Sequence, residues 1–277
     1  MISWDRFPTE ILLLVLENVF HNGCNLASLA TVSQEWQIVI EKQNFSRIKL
    51  TPSRLPRFGA MIHRNRRLVQ YIWFCLELEE YDCTGCEPQD PESWGLSEMD
   101  NSLIVKGLED LFSILRAWQP GGELTLDISV YSRSDSQHRF KYLTFEPDST
   151  SDTCDEHPLA ERPLLSSPCN NYHGPSAGGR PPNPTFEAIT KVFEEIMGEG
   201  PFDDDEQERR WWQRLPLVPA VTRVLLRQQT RRRWKPDALA QMFARMPGLR
   251  EIHYEPWREW LDTQQQWTDK GESSELT

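Results

Sequence analysis

MPGLREIHY, residues 246–254, packs the end of a helix, a turn and the start of a strand into one short stretch. The helical pattern begins at Asp237 and reaches Met246, where Pro247-Gly248 stops it. An alternation of apolar and polar residues then starts at Leu249 and predicts a strand to Tyr254. Helix, tight turn and strand thus follow each other with almost no connecting chain.

The same idea recurs, with poorer spacing, in NRRLVQYIWF at residues 65–74. Working outward, strands are predicted at 47–50, at 69–81 around Trp73, Cys75, Leu76 and Leu78, at 140–145 and at 221–226. The clearest strand holds Leu124, Leu126, Ile128 and Val130 in strict alternation with polar residues. Helices are predicted at 55–68, 103–118, 185–197 and 237–246, with a charged one opening at Asp203-Asp204-Asp205 and ending near Trp211-Trp212. Residues 82–101 read as a loop, and a last helical pattern starts at Trp257.

Strand and helix alternating after about residue 45 predict an α/β fold with parallel strands joined by helices. Two architectures satisfy that pattern: an open doubly wound sheet, or a curved solenoid of irregular strand–helix units resembling divergent leucine-rich repeats. Residues 246–254 lean toward the solenoid, although the units share no fixed period.

Composition narrows the function classes. A net charge of −12 argues against non-specific nucleic-acid binding, which runs on the opposite sign. No run of about eighteen apolar residues predicts a membrane span. The apolar run Ile11 to Leu16 is short, is flanked by Glu10 and Glu17, and has no basic stretch before it, so no secretory signal is expected. A cytoplasmic or nuclear protein with six reduced cysteines follows as the expectation. Residues 146–184, rich in Pro, Ser, Asp and Gly, read as a linker or surface insertion between two halves, 46–145 and 185–267, with a polar tail at 268–277.

The first 45 residues hold three helical patterns. Pro8 sits at a helix start, and Ile11, Leu12, Val15, Leu16 and Val19 recur on one face. Asn22-Gly23 breaks the helix; Leu26, Leu29 and Val32 mark a second, and Trp36, Val39 and Ile40 a third behind a Ser33 cap. On pattern alone this fits an ordinary three-helix cap. The register, however, resembles the F-box. Residues 7–12, Phe-Pro-Thr-Glu-Ile-Leu, match that family's opening Leu-Pro-x-Glu-Ile/Leu-Leu, and Leu26, Leu29, Val32 and Trp36 match its second half. Phe7 in place of Leu and a longer 22–25 loop are the departures. The remainder, above all RRRWKPDALAQMFARMPGLREIHYEPWREW at 231–260, resembles the leucine-rich-like region that follows the F-box in proteins of filamentous fungi.

The resemblance implies a substrate-recognition subunit of a Skp–cullin–F-box ubiquitin ligase, without catalytic residues of its own. It implies that Phe7, Pro8, Ile11, Leu12, Val15 and Leu16 touch a Skp-type adaptor, with Leu29 and Val32 in support, while Leu26 and Trp36 form the F-box core. A protein substrate would sit on the later domain, on residues the sequence does not single out. The alternative is a non-catalytic interaction scaffold with no ligase role.

Other chemistries find little support. Cys83-Thr84-Gly85-Cys86 has metal-ligand spacing but lacks a second close pair, so no metal or cofactor is expected. No Gly-x-Ser-x-Gly or phosphate-binding loop occurs. His63, His138, His157, His173 and His253 read as surface or satisfied histidines, the run Asp203–Asp205 as a solvated helix start, and Arg231–Arg233 as a solvated face. Among the late tryptophans 211, 212, 234, 257, 260 and 267, core packing is expected for most, and partner contact for any that are exposed.

Overall fold

Alternating side chains at 124–131 make a strand whose apolar half must be buried, and the rest of the fold is built around it. The structure, a computed structural model, describes residues 34–119, 121–140 and 184–255, with residues 11, 14, 15, 18 and 31. In chain order the elements are α1 (Gln34–Ser46), β1 (Arg47–Leu50), α2 (Leu55–Met61), β2 (Tyr71–Glu77), α3 (Glu98–Leu115) and β3 (Leu124–Tyr131). After the insertion come α4 (Phe186–Phe193), β4 (Glu195–Ile196), α5 (Asp205–Arg214), β5 (Val221–Leu226), β6 (Arg233–Trp234), α6 (Pro236–Ala244) and β7 (Glu251–Tyr254).

Five strands form one parallel sheet in the order β1-β2-β3-β5-β7, while β4 and β6 pair separately. The fold is α/β with a parallel sheet, as the alternation predicts. Spatial order and chain order coincide within the large sheet. A doubly wound sheet reverses its order at a switch point, and this one does not. The β3–β5 pairing also joins the two predicted halves across residues 146–184.

One face of that sheet carries the core. Ile72, Phe74 and Leu76 of β2, Leu126, Ile128 and Val130 of β3, and Val224 and Leu226 of β5 are buried in one cluster. The same cluster takes Phe58 from α2, Leu108 and Phe112 from α3, Trp212 from α5 and Met242 from α6. All four helices therefore cover the same face. Each fully buried side chain of this size contributes roughly 1.5–3 kcal/mol. α3 lies close on β2 because Gly107 has no side chain: a Cβ there would stand 2.6 Å from the Leu76 Cδ2 and 3.3 Å from the Phe74 Cζ.

Local chemistry moves several boundaries. α3 starts at Glu98, earlier than the apolar pattern at Leu103 suggests, because the Ser97 hydroxyl caps it by accepting from the Asp100 N–H at 3.1 Å. The helix expected at 55–68 is α2 followed by two 3-10 turns at 62–64 and 66–68. The helix expected at 185–197 ends at Phe193, since Glu195 and Ile196 pair with Arg233 and Trp234. The strand expected at 140–145 begins badly: Phe140 lies in a turn, and 141–145 fall outside the described residues. α5 behaves as its acidic start suggests, with exposed Asp204 accepting from the Gln207 N–H at 2.6 Å.

The Arg231–Arg233 run needs correction. Arg231 and Arg232 are buried, and Arg232 forms a bidentate ion pair with Asp135 instead of facing solvent. Trp211, Trp212 and Trp234 are core residues, as expected; Trp257, Trp260 and Trp267 lie outside the described residues.

Candidate functional site

Period-two alternation gives every strand a second set of side chains, and in this sheet that set is mostly polar and aromatic, with Leu225 the aliphatic member among those paired across β1, β2, β3, β5 and β7. Parallel register brings them into rows. Arg47, Tyr71, Thr125, Arg223 and Glu251 form one row, and Lys49, Trp73, Asp127, Leu225 and His253 the next. Cys75 with Ser129 and Glu77 with Tyr131 continue on β2 and β3. None of these belongs to the apolar core cluster that α2, α3, α5 and α6 join, and Arg47, Glu251 and His253 are exposed while Cys75, Asp127 and Ser129 are buried. Parallel sheets are ordinarily covered on both faces, which makes an open one a candidate binding surface.

The face is internally braced. The Asp127 carboxylate, 1 % exposed, accepts from the Tyr71 hydroxyl and from Arg227 Nε at 2.7 Å. Arg227 Nη2 also donates to the Tyr71 hydroxyl oxygen at 2.7 Å. Burial, helped by the Asp127 charge, pushes the Tyr71 hydroxyl well above the usual tyrosine range, so it stays a donor. Trp73 Nε1 donates to the Ser129 hydroxyl at 2.9 Å. Two cations lie on these rings: the Arg47 guanidinium 4.3 Å from the Tyr71 centroid and the Lys49 ammonium 4.6 Å from that of Trp73. At the other edge Arg223 bridges Glu123 at 2.9 Å and Glu251 at 2.7 Å, and His253 meets Glu251 at 2.6 Å. Burial pushes the Cys75 thiol up to about 12, so it is a protonated thiol and not a nucleophile at neutral pH. The arrangement can hold a ligand by ring faces, cations and hydrogen bonds.

A second polar group lies buried past the strand ends. Asp135 pairs with Arg232 and accepts from the Tyr81 hydroxyl at 2.9 Å and the Ser132 N–H at 2.9 Å. Lys191 Nζ donates to the Gly95 carbonyl at 2.9 Å, and burial holds its ammonium below the usual lysine range. His138 is buried and stacked on Tyr81, with ring centroids 5.3 Å apart. These groups are spent on joining loops.

The expected adaptor residues fall mostly outside the described set: Phe7, Pro8, Leu12, Leu16, Leu29 and Val32 do so, as does Leu26 of the expected F-box core. Residues 11, 14, 15 and 18 are helical, and their spacing puts them on one face. Ile11 is 42 % exposed, Val15 half-buried, and Leu14, which the sequence does not mark, is 55 % exposed. Trp36 and Ile40 are buried on α1. His63 and His253 are exposed; His157 and His173 lie outside the described residues. Cys75 and Cys86 are free thiols, whereas Cys83 is disulfide-bonded, which corrects the expectation of reduced cysteines throughout. Among the described residues no His/Cys/Asp/Glu group could hold a metal ion, and no helix is long and apolar enough to cross a membrane.

The residues of this face carry a signal in the strand alternation. Thr125, Asp127, Ser129 and Tyr131 are the polar half of the strict alternation, and Tyr71 and Trp73 stand in step beside them. Compared with protein families, curated proteins and solved structures, the chain matches none.

Proposed function

We propose that this chain is the substrate-recognition subunit of a Skp–cullin–F-box ubiquitin ligase. Its N-terminal helices bind a Skp-type adaptor, and the later domain, a divergent leucine-rich-like solenoid, holds a protein substrate on the open sheet face. The observation that carries the reading is the register of Pro8, Glu10, Ile11, Leu12, Leu26, Leu29, Val32 and Trp36. Exposed Ile11 and Leu14 support it, because an apolar helical ridge at the surface calls for a partner groove. Strand order supports the solenoid: right-handed crossovers between strands laid in chain order put every helix on one side. Tyr, Trp and Arg on the free face suit protein recognition.

Function by this reading is proximity. The subunit brings a substrate lysine near a charged ubiquitin-conjugating enzyme and raises its effective concentration. That work belongs in the cytoplasm or nucleus. The test is affinity purification of the full chain followed by identification of what accompanies it. A Skp-type adaptor and a cullin should co-purify, and Pro8→Ala combined with Leu12→Asp should remove both. Adaptor binding that survives the double substitution sinks the assignment of the interface; an adaptor without a cullin favours a scaffold with no ligase role.

A further inference from the structure

Among the described residues β7 is the last strand of the large sheet, paired to β5 on one side only. Its register puts Ile252 beside Val224 and Tyr254 beside Leu226, on the face that the helices cover. Val224 and Leu226 are buried there, yet Ile252 is 46 % exposed and Tyr254 38 %. An apolar sheet edge of this kind invites wrong pairing unless something covers it. We propose that residues 257–267 of this same chain dock as an amphipathic helix on Ile252 and Tyr254 and close that end of the core.

The chain leaves β7 in the way it leaves two earlier strands. β1 ends at Leu50, and one residue, Thr51, precedes Pro52, which opens a 3-10 turn. β6 ends at Trp234, and one residue, Lys235, precedes Pro236, the first residue of α6. β7 ends at Tyr254, and one residue, Glu255, precedes Pro256. Proline suits a first helical position, because its missing N–H has no helical partner there and its φ is already set.

The residues that follow have the right faces. At helical spacing Trp257, Trp260, Leu261 and Trp267 fall within an arc of roughly 120°, while Arg258, Glu259, Asp262, Gln265 and Gln266 fall opposite. An apolar stripe with a polar back is what the end of a stacked array requires. The length also fits: a helix over 257–267 is about 16 Å long, and the four residues of β7 span about 13 Å. The helix can therefore run back along the whole strand. A second copy, or any separate partner, would have to displace a segment tethered directly to the site, whose effective concentration is on the order of millimolar.

Hydrogen–deuterium exchange of the purified full chain, read by mass spectrometry, tests this. Amides of 258–267 should exchange at least roughly tenfold slower than in an unstructured chain. Ile252→Asp and Trp260→Asp should each abolish that protection and leave β5, Val221–Leu226, protected. Ile252→Val should keep it, as should Met61→Asp at another exposed apolar residue, on α2. Should Ile252→Asp loosen β5 as well, Trp260→Asp decides, because Trp260 lies beyond the sheet. Three outcomes overturn the proposal. The first is free exchange of 258–267 in the parent. The second is protection that survives both aspartate substitutions. The third is protection that fades on dilution while light scattering shows a dimer dissociating, which makes a second copy the occupant. Adaptor binding plays no part in any of them, so the ligase reading and this inference stand or fall separately.

Discussion

Asp135 and Arg232 lie 97 residues apart in the chain and meet in a buried bidentate ion pair, Nη1 to Oδ2 at 2.5 Å and Nη2 to Oδ1 at 3.1 Å. Their side chains are 1 % and 2 % exposed. The pair ties the loop after β3 to the loop after β5. Arg232→Ala leaves a buried carboxylate without its cation and should cost about 3–5 kcal/mol. Arg232→Met with Asp135→Leu should recover much of that loss, because it leaves no buried charge. Urea midpoints with an unchanged m-value would check both.

Two glycines should respond differently to a methyl group. At Gly107 the nearest atom is the tip of the flexible Leu76 side chain, which can swing aside, so Gly107→Ala should cost about 1–3 kcal/mol. At Gly248 a Cβ would stand 2.3 Å from the Pro219 carbonyl oxygen, a backbone atom. Gly248→Ala should lower the melting temperature further than Gly107→Ala. The opposite ranking would mean the turn before β7 is looser than described.

Stability should fall as pH rises toward neutrality, and Glu194 should be a cause. Burial, with Glu199 and Glu195 adding to it, pushes its carboxyl up to about 7. In the unfolded chain the group titrates near 4.5. Between those values the folded state holds a proton that the unfolded state has released, so stability is greatest below the window and is lost as pH climbs through it. Thermal melts from about pH 5 to about pH 8 should show this decline, and Glu194→Gln should flatten it. A slope that survives the substitution assigns the effect to other groups.

Exposed apolar residues on the N-terminal helical face should matter for binding and not for folding. Ile11→Asp with Leu14→Asp should reduce adaptor affinity by at least about 2 kcal/mol, the scale of an interface hot spot. The urea midpoint should stay within about 0.5 kcal/mol of the parent. Calorimetric titration with the adaptor gives the first quantity, and unchanged affinity would remove these two residues from the interface.

The sheet was legible wherever apolar residues alternate. Val221–Leu226 falls where the pattern puts it, and Leu124–Tyr131 extends the expected strand by one residue. The start of α3 was less so, because its cap, Ser97, precedes the first apolar residue on the helical stripe. Nothing in the sequence marks β4 and β6, whose ladder pairs only Glu195 with Arg233 and Ile196 with Trp234. Burial of Arg232 was invisible for a related reason. Three consecutive arginines read as solvated until Asp135 is brought across from another loop. The open face lay between these cases. Its polar residues could be picked out on each strand, but joining Tyr71, Asp127 and Arg227 requires the register of three strands.

Strands laid side by side in chain order have a consequence for how such a molecule grows and fails. Each strand of the large sheet pairs only with its predecessor and its successor in that order, so no strand is threaded between two older ones. A unit added or lost beyond β7 would leave every pairing from β1 to β5 as it was. Fraying from that end would stop at the first intact neighbour, and the breadth of the sheet's polar face is set by how many strands lie side by side.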